Sequence, residues 1–159
     1  MTDVTAPLVL SPGFARQIER EGVVAYPNEC CGFLYGRDFA GRRVVERVEA
    51  AANSYDASEQ YHRFSIEPKE LVRAEKLASA EGLSVLGFYH SHPDHPARPS
   101  ETDRAAAWPF YSYVIVSIAQ REPVDMTCWL LDEESNTFKR QDILGEEELE
   151  TRERERRTS

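Results

Sequence analysis

His90 and His92 lie two residues apart. On an extended segment that spacing sends both side chains to one face, where two imidazoles can reach a single metal ion. The apolar run over residues 83–89 reads as a buried central strand, so the pair is expected at its carboxyl end. Asp103 follows eleven residues after His92, beyond a loop stiffened by Pro93, Pro96 and Pro99 in which no regular structure is expected. That loop would let the carboxylate return to the same ion as a third ligand. Two imidazoles and one carboxylate leave one tetrahedral position for water, and on zinc an open set of this kind is the catalytic arrangement. Zinc would lower the water's pKa, but hydrolysis still needs a base to take the proton and hand it to a departing amine. Glu29, just before the apolar run at Cys30, is the candidate, although spacing alone does not single it out among the glutamates. The Ser100 hydroxyl could donate to the oxyanion of a tetrahedral intermediate. It is equally placed to cap a short helix, and the two uses are compatible.

The elements that must position these groups follow from pattern. A short strand is expected over 8–10 and a helix over 12–26, entered by Ser11-Pro12 and weakened by Gly22. The run 30–35, closed by Gly36, and the run 44–48 read as paired antiparallel strands. Residues 53–60 form a polar connection, 63–66 look extended, and a second helix spans 68–81 before Gly82 stops it. A short helix is expected from Glu101 to about Trp108, strands over 111–118 and 124–131, and a weaker strand over 137–143. From Glu146 the chain is almost wholly charged and reads as a solvated helix or frayed tail. The layout is α/β, a mixed sheet flanked by helices, with residues 1–144 as one domain and 145–159 as a charged tail.

At 159 residues, 41% hydrophobic and 30% charged, the chain has the balance of a soluble globular domain. No apolar run is long enough to span a bilayer, and no signal-peptide pattern opens the chain, so no membrane association and a cytoplasmic location are expected. A net charge of −9 argues against nucleic acid as partner. Cys30, Cys31 and Cys128 are odd in number and form no C-x-x-C pair, so neither a disulfide framework nor a thiolate zinc site is expected. His62 and His95 read as surface histidines, and Trp108, Tyr111 and Tyr113 as core or hinge aromatics.

His90-x-His92, seven further residues, then Ser100-x-x-Asp103, with Glu29 upstream, resembles the signature of the JAMM (MPN+) zinc metallopeptidases; all five positions are filled. The stretch from Tyr26 to Gly36 is similar to the family's glutamate-bearing segment, and Asn53, Phe64, Ile66 and Pro68 also match small prokaryotic members. The likeness covers about residues 8 to 132. It implies a cytidine-deaminase-like α/β fold, one zinc ion on His90, His92 and Asp103, Glu29 as general base and Ser100 as oxyanion donor. It further implies hydrolysis of a peptide or isopeptide bond at the C-terminal tail of a ubiquitin-like or sulfur-carrier protein. Zinc deamination is disfavoured because His-x-Glu and Pro-Cys-x-x-Cys are absent. A non-catalytic module that binds a ubiquitin-like partner around a structural zinc is the alternative from a different class. Oligomeric state is not legible.

Overall fold

The computed structural model describes residues 6–158. In chain order the elements are β1 (Leu8–Val9), α1 (Pro12–Ala25), β2 (Cys31–Phe39), β3 (Arg42–Ala51), a 3-10 turn (Ala57–Glu59), α2 (Pro68–Ala80), β4 (Ser84–Pro93) and α3 (Glu101–Ala106). There follow β5 (Ser112–Ala119), β6 (Glu122–Asp132), β7 (Thr137–Gln141), β8 (Ile143–Leu144) and α4 (Glu146–Thr158). The strands form one sheet in the order β7-β6-β5-β4-β2-β3-β1-β8. Strand β4 runs parallel to β5, and β1 parallel to β3 and β8; the other pairs are antiparallel. The architecture is therefore the expected mixed sheet flanked by helices. Among the described residues no helix is long and apolar enough to cross a membrane.

The central strands are buried on both faces, which is why β2 and β4 read as nearly unbroken apolar runs. Leu34 and Tyr89 point to the face covered by α1, together with Ile18 and Val114. Phe33 and Phe88 point to the face covered by α2, where they meet Ala74 and Ala78. Ser11 caps α1 through its Oγ and Pro12 opens it, as Pro68 opens α2. Gly22 costs helix propensity and gains proximity in return. A β-carbon there would lie 2.9 Å from Ile118 Cδ1 and 3.4 Å from Ser91 Cβ, so its absence lets α1 settle directly on β4 and β5.

Several boundaries differ from the sequence reading, each for a nonlocal reason. Gly36 does not close β2; the strand runs on to Phe39 and turns at Ala40-Gly41. A β-carbon at Gly36 would sit 1.9 Å from the Val44 carbonyl oxygen, and the register to β3 shifts between Tyr35 and Gly36, so this glycine serves a bulge. Strand β4 includes both histidines and Pro93, because β5 continues to pair alongside it as far as Pro93↔Ile118. Residues 63–66 join no strand. Helix α3 stops at Ala106, short of Trp108. The expected single strand over 137–143 is two strands, β7 and β8, on opposite edges of the sheet.

Only Asp142 separates β7 from β8, so the sheet must curl until its two edges meet. Buried polar groups seal that meeting. Gln141 Nε2 donates to the Ala6 carbonyl at 2.9 Å, and Gln141 Oε1 accepts from Ser112 Oγ at 2.8 Å. Ser112 Oγ in turn accepts from the buried Arg43 Nη1 at 2.9 Å, whose Nε pairs with Asp38 at 3.2 Å. Helix α4 buries no residue and is held by charge pairs such as Arg152–Asp142.

Replacing Gln141 with leucine would fill the space but leave the Ser112 O–H donor and the Ala6 carbonyl without their partner in the interior. With about 1–3 kcal/mol lost for each such group, urea unfolding should show a loss of at least about 2 kcal/mol. Arg37→Ala, which removes an exposed pair with Glu46, should stay within about 0.5 kcal/mol.

Candidate active site

Strand register brings the site together. Cys31 pairs with His90 across the antiparallel β2–β4 ladder, and the pairing is extended by one step: Cys30 N–H donates to Ser91 Oγ at 2.8 Å and Ser91 N–H donates to the Cys30 carbonyl at 3.1 Å. One residue further along the same count sets Glu29 against His92. Residues directly opposite in an antiparallel pair share a face, so Glu29, His90 and His92 all face the α2 side. Ser91, fully buried, points the other way, where α1 presses close at Gly22.

His90 Nε2, His92 Nε2 and Asp103 Oδ2 converge: the nitrogens are 3.1 Å apart, and the carboxylate oxygen is 3.3 Å and 3.1 Å from them. His92 Nδ1 lies 2.8 Å from the Pro96 carbonyl. A carbonyl only accepts, so Nδ1 carries a proton, and Nε2 is the atom turned towards the Asp103 oxygen. At that distance the two atoms need a proton or a metal cation between them. Burial works against charge on the His92 ring, but Asp103, through its hydrogen bond, and the Pro96 carbonyl outweigh it and raise the pKa. The more deeply buried His90 ring is instead lowered, chiefly by burial. Burial alone would raise Asp103; the two histidines and the Ser100 N–H hold its carboxyl far below the usual range. These three residues form a group that could hold a metal ion, and the donor set suits zinc.

Asp103 is fixed by a reciprocal cap. Ser100 Oγ accepts from Asp103 N–H at 3.0 Å, and Asp103 Oδ2 accepts from Ser100 N–H at 2.9 Å. The Ser100 oxygen is thus engaged while its own hydrogen remains to be donated. Phe64 stacks on the His90 ring at 4.4 Å.

Glu29 is 6% exposed, and its Oε1 has no hydrogen-bond partner among the described residues. Burial raises its pKa to about 8, with His92 drawing it down and Asp103 pushing it up, so the carboxyl senses both candidate ligands. Its backbone is held by the polar connection that the sequence reading left without a role. Glu29 N–H donates to the Gln60 carbonyl at 2.8 Å and its carbonyl accepts from Asn53 Nδ2 at 3.3 Å. Asn53 Nδ2 also donates to the Arg63 carbonyl, and Asn53 Oδ1 accepts from Tyr55 and Ser65 N–H.

All five residues expected from the sequence therefore fall in one region. Ser91 and the Pro96 carbonyl were not anticipated; a serine between two histidines in a buried run was the available signal for the first. Tyr113 is buried as expected, but Trp108 is 65% exposed and borders a cavity beside His90. His62 is half-buried and lies 3.0 Å from Glu59. The cysteines are free, and burial raises all three thiols, so none is a poised nucleophile.

With divalent ions chelated away, the folded chain keeps a proton on Glu29 between the ordinary value of 4.5 and about 8, where the unfolded chain has released it. Stability should therefore decline as pH rises through that window. Glu29→Gln has no such proton to lose, so its urea unfolding profile should decline less over this window than that of the wild type; parallel profiles for the two proteins would refute the burial of the Glu29 carboxyl.

A family model described as prokaryotic homologs of the JAB domain matches residues 13–132. Desampylase from Haloferax volcanii is 38% identical over 100 residues, spanning 62% of this chain and 69% of that protein. A probable TtuB-protein conjugate cleaving protease from Thermus thermophilus is 42% identical over 71 residues, 44% of this chain and 47% of that protein. The solution structure of a protein from Desulfitobacterium hafniense matches with a TM-score of 0.75 at 33% identity, covering 87% of this chain and 92% of that one. The matched span takes in Glu29, His90, His92, Ser100 and Asp103 and most of the sheet that aligns them, so this chain belongs to the prokaryotic homologs of the JAB domain.

Proposed function

We propose that this protein hydrolyses, with one zinc ion, a peptide or isopeptide bond at the C-terminal Gly-Gly tail of a ubiquitin-like or sulfur-carrier protein. The observation that carries the reading is the convergence of three ligand atoms on a face shared with the buried Glu29 carboxyl, whose Oε1 has no hydrogen-bond partner among the described residues. A purely structural metal site has no use for such a carboxylate, and burying one without a partner is costly. The Thermus relative's name, a cleaver of TtuB-protein conjugates, supports a protein-conjugate bond as the substrate here.

His90, His92 and Asp103 would hold the ion, which when bound supplies Lewis acidity to the scissile carbonyl and to water. Nearby positive charge favours the ionised form of Glu29, bringing a carboxylate that burial holds near 8 down into working range as a base. Glu29 takes the proton of the attacking water and passes it to the departing amine. The Ser100 hydroxyl, its oxygen fixed by Asp103 N–H, donates to the carbonyl oxygen as negative charge develops there.

A fusion of a Gly-Gly-tailed carrier to a short C-terminal extension tests this. Wild-type protein with zinc should cleave after the second glycine. Glu29→Gln should retain zinc and lose about 10²–10⁴ in kcat, whereas Asp103→Ala should lose the metal. A glutamine variant that turns over normally would remove Glu29 from its role. Ser100→Ala should keep zinc, lose about 10²–10³ in kcat and lose about 1 kcal/mol of stability through the missing cap.

A further inference from the structure

Next to the candidate ligands lies a cavity of about 260 Å³ whose wall includes His90 and Asp103 themselves. The rest is chiefly apolar: Phe64, Ile66, Leu71, Phe88, Trp108 and Tyr113. Phe88 and Tyr113 stack at 5.6 Å to form its floor. At its rim Trp108 leaves most of its ring in solvent, yet its backbone N–H is pinned by the Tyr113 hydroxyl at 2.8 Å. A large exposed aromatic on a fixed backbone beside a chiefly apolar concavity is a recognition feature and not a packing residue.

The reaction proposed above constrains the occupant, and the present inference rests on that reading. The cavity shares a wall with the ligands, so it opens within about one residue of the scissile carbonyl. On the acyl side those residues are glycines, which carry no side chain to fill it. We infer that the cavity receives the side chain of the residue on the amine side of the scissile bond, and that this protein selects leaving groups with a large apolar or aromatic side chain there.

Two measurements separate this from the hydrolytic reading. In the first, zinc-loaded protein labelled with nitrogen-15 is titrated with phenylalanine amide and with glycine amide, following the Trp108 indole N–H resonance. Phenylalanine amide should shift it saturably, glycine amide should not, and Ala106→Phe, which fills the cavity from α3, should abolish the shift. An unmoved Trp108, or equal shifts with both amides, overturns the proposal. In the second, carrier fusions carry Phe, Leu, Ala, Gly or Asp directly after Gly-Gly. The kcat/KM values for Phe and Leu should exceed those for Gly and Asp by about tenfold or more, and Ala106→Phe should level the series. Cleavage without preference overturns the pocket while leaving the peptidase reading intact. If no fusion is cleaved, it is the peptidase reading that fails, and the amide titration still decides whether the cavity takes an apolar side chain.

Discussion

The pairing of β2 with β4 is the constraint from which the site follows. One register, Cys31 opposite His90, continued by the same count beyond the end of the ladder, sets the candidate base against His92 and sends three candidate side chains to a single face. Side chains alternate with a period of two, so a slip of one residue would turn Glu29 to the α1 side and leave the histidines without it. The Cys30–Ser91 pair of hydrogen bonds fixes that register at the end of the ladder, where fraying would otherwise begin. On the far side of β4, the parallel partner β5 holds His92 and Pro93 in line after β2 has ended. The histidines therefore sit on an interior strand of the sheet, and rigid elements position reacting groups more exactly than loops can.

The same burial that makes the sheet stable leaves the site short of partners. Among the described residues Glu29 Oε1 and His90 Nδ1 are both buried without a hydrogen bond, and His92 Nε2 lies only 3.1 Å from Asp103 Oδ2. A domain of this size has little stability to spare for such defects. With His62 Nδ1, Glu29 Oε1 and His90 Nδ1 are the buried side-chain atoms left without a partner among the described residues, while the polar cluster of Arg43, Ser112 and Gln141 at the sheet's closure uses its hydrogen-bonding groups on one another. Two buried polar clusters in one fold thus have opposite characters. The satisfied one closes the sheet; the unsatisfied one contains the group that could hold a metal ion.

What the sequence disclosed and what it hid divide along the distance over which each feature is decided. His-x-His was legible because a strand's period of two is local, and Ser100-x-x-Asp103 because a helix cap spans four residues. The position of Glu29 was not derivable from spacing, since it depends on a pairing between residues 61 apart in the chain; the likeness to a known motif supplied it. Gly22 read as a local weakness and Gly36 as the close of a strand, yet each admits a neighbour from another element, Ile118 in one case and the Val44 carbonyl in the other. The split of residues 137–144 into strands on opposite edges was hidden for the same reason. Nothing in those residues says that the sheet curls far enough for its edges to meet.

Asn53 shows how far this nonlocal logic extends. A side-chain amide offers two donor hydrogens and an oxygen with two lone pairs, and here all four are used, on Glu29, Arg63, Tyr55 and Ser65. An aspartate would present no donors to the two carbonyls, so the amide is specified by its surroundings. Its partners fall in two groups that serve different purposes. Glu29 carries the candidate base, while Arg63 and Ser65 flank Phe64, which stacks on His90 and lines the apolar cavity. One amide therefore ties the backbone of the base to the backbone of the cavity wall. Because both are held by the same side chain, a movement of the wall on filling the cavity would be transmitted to Glu29. On the two proposals made above, recognition of the leaving group and placement of the candidate base would be linked through this one amide.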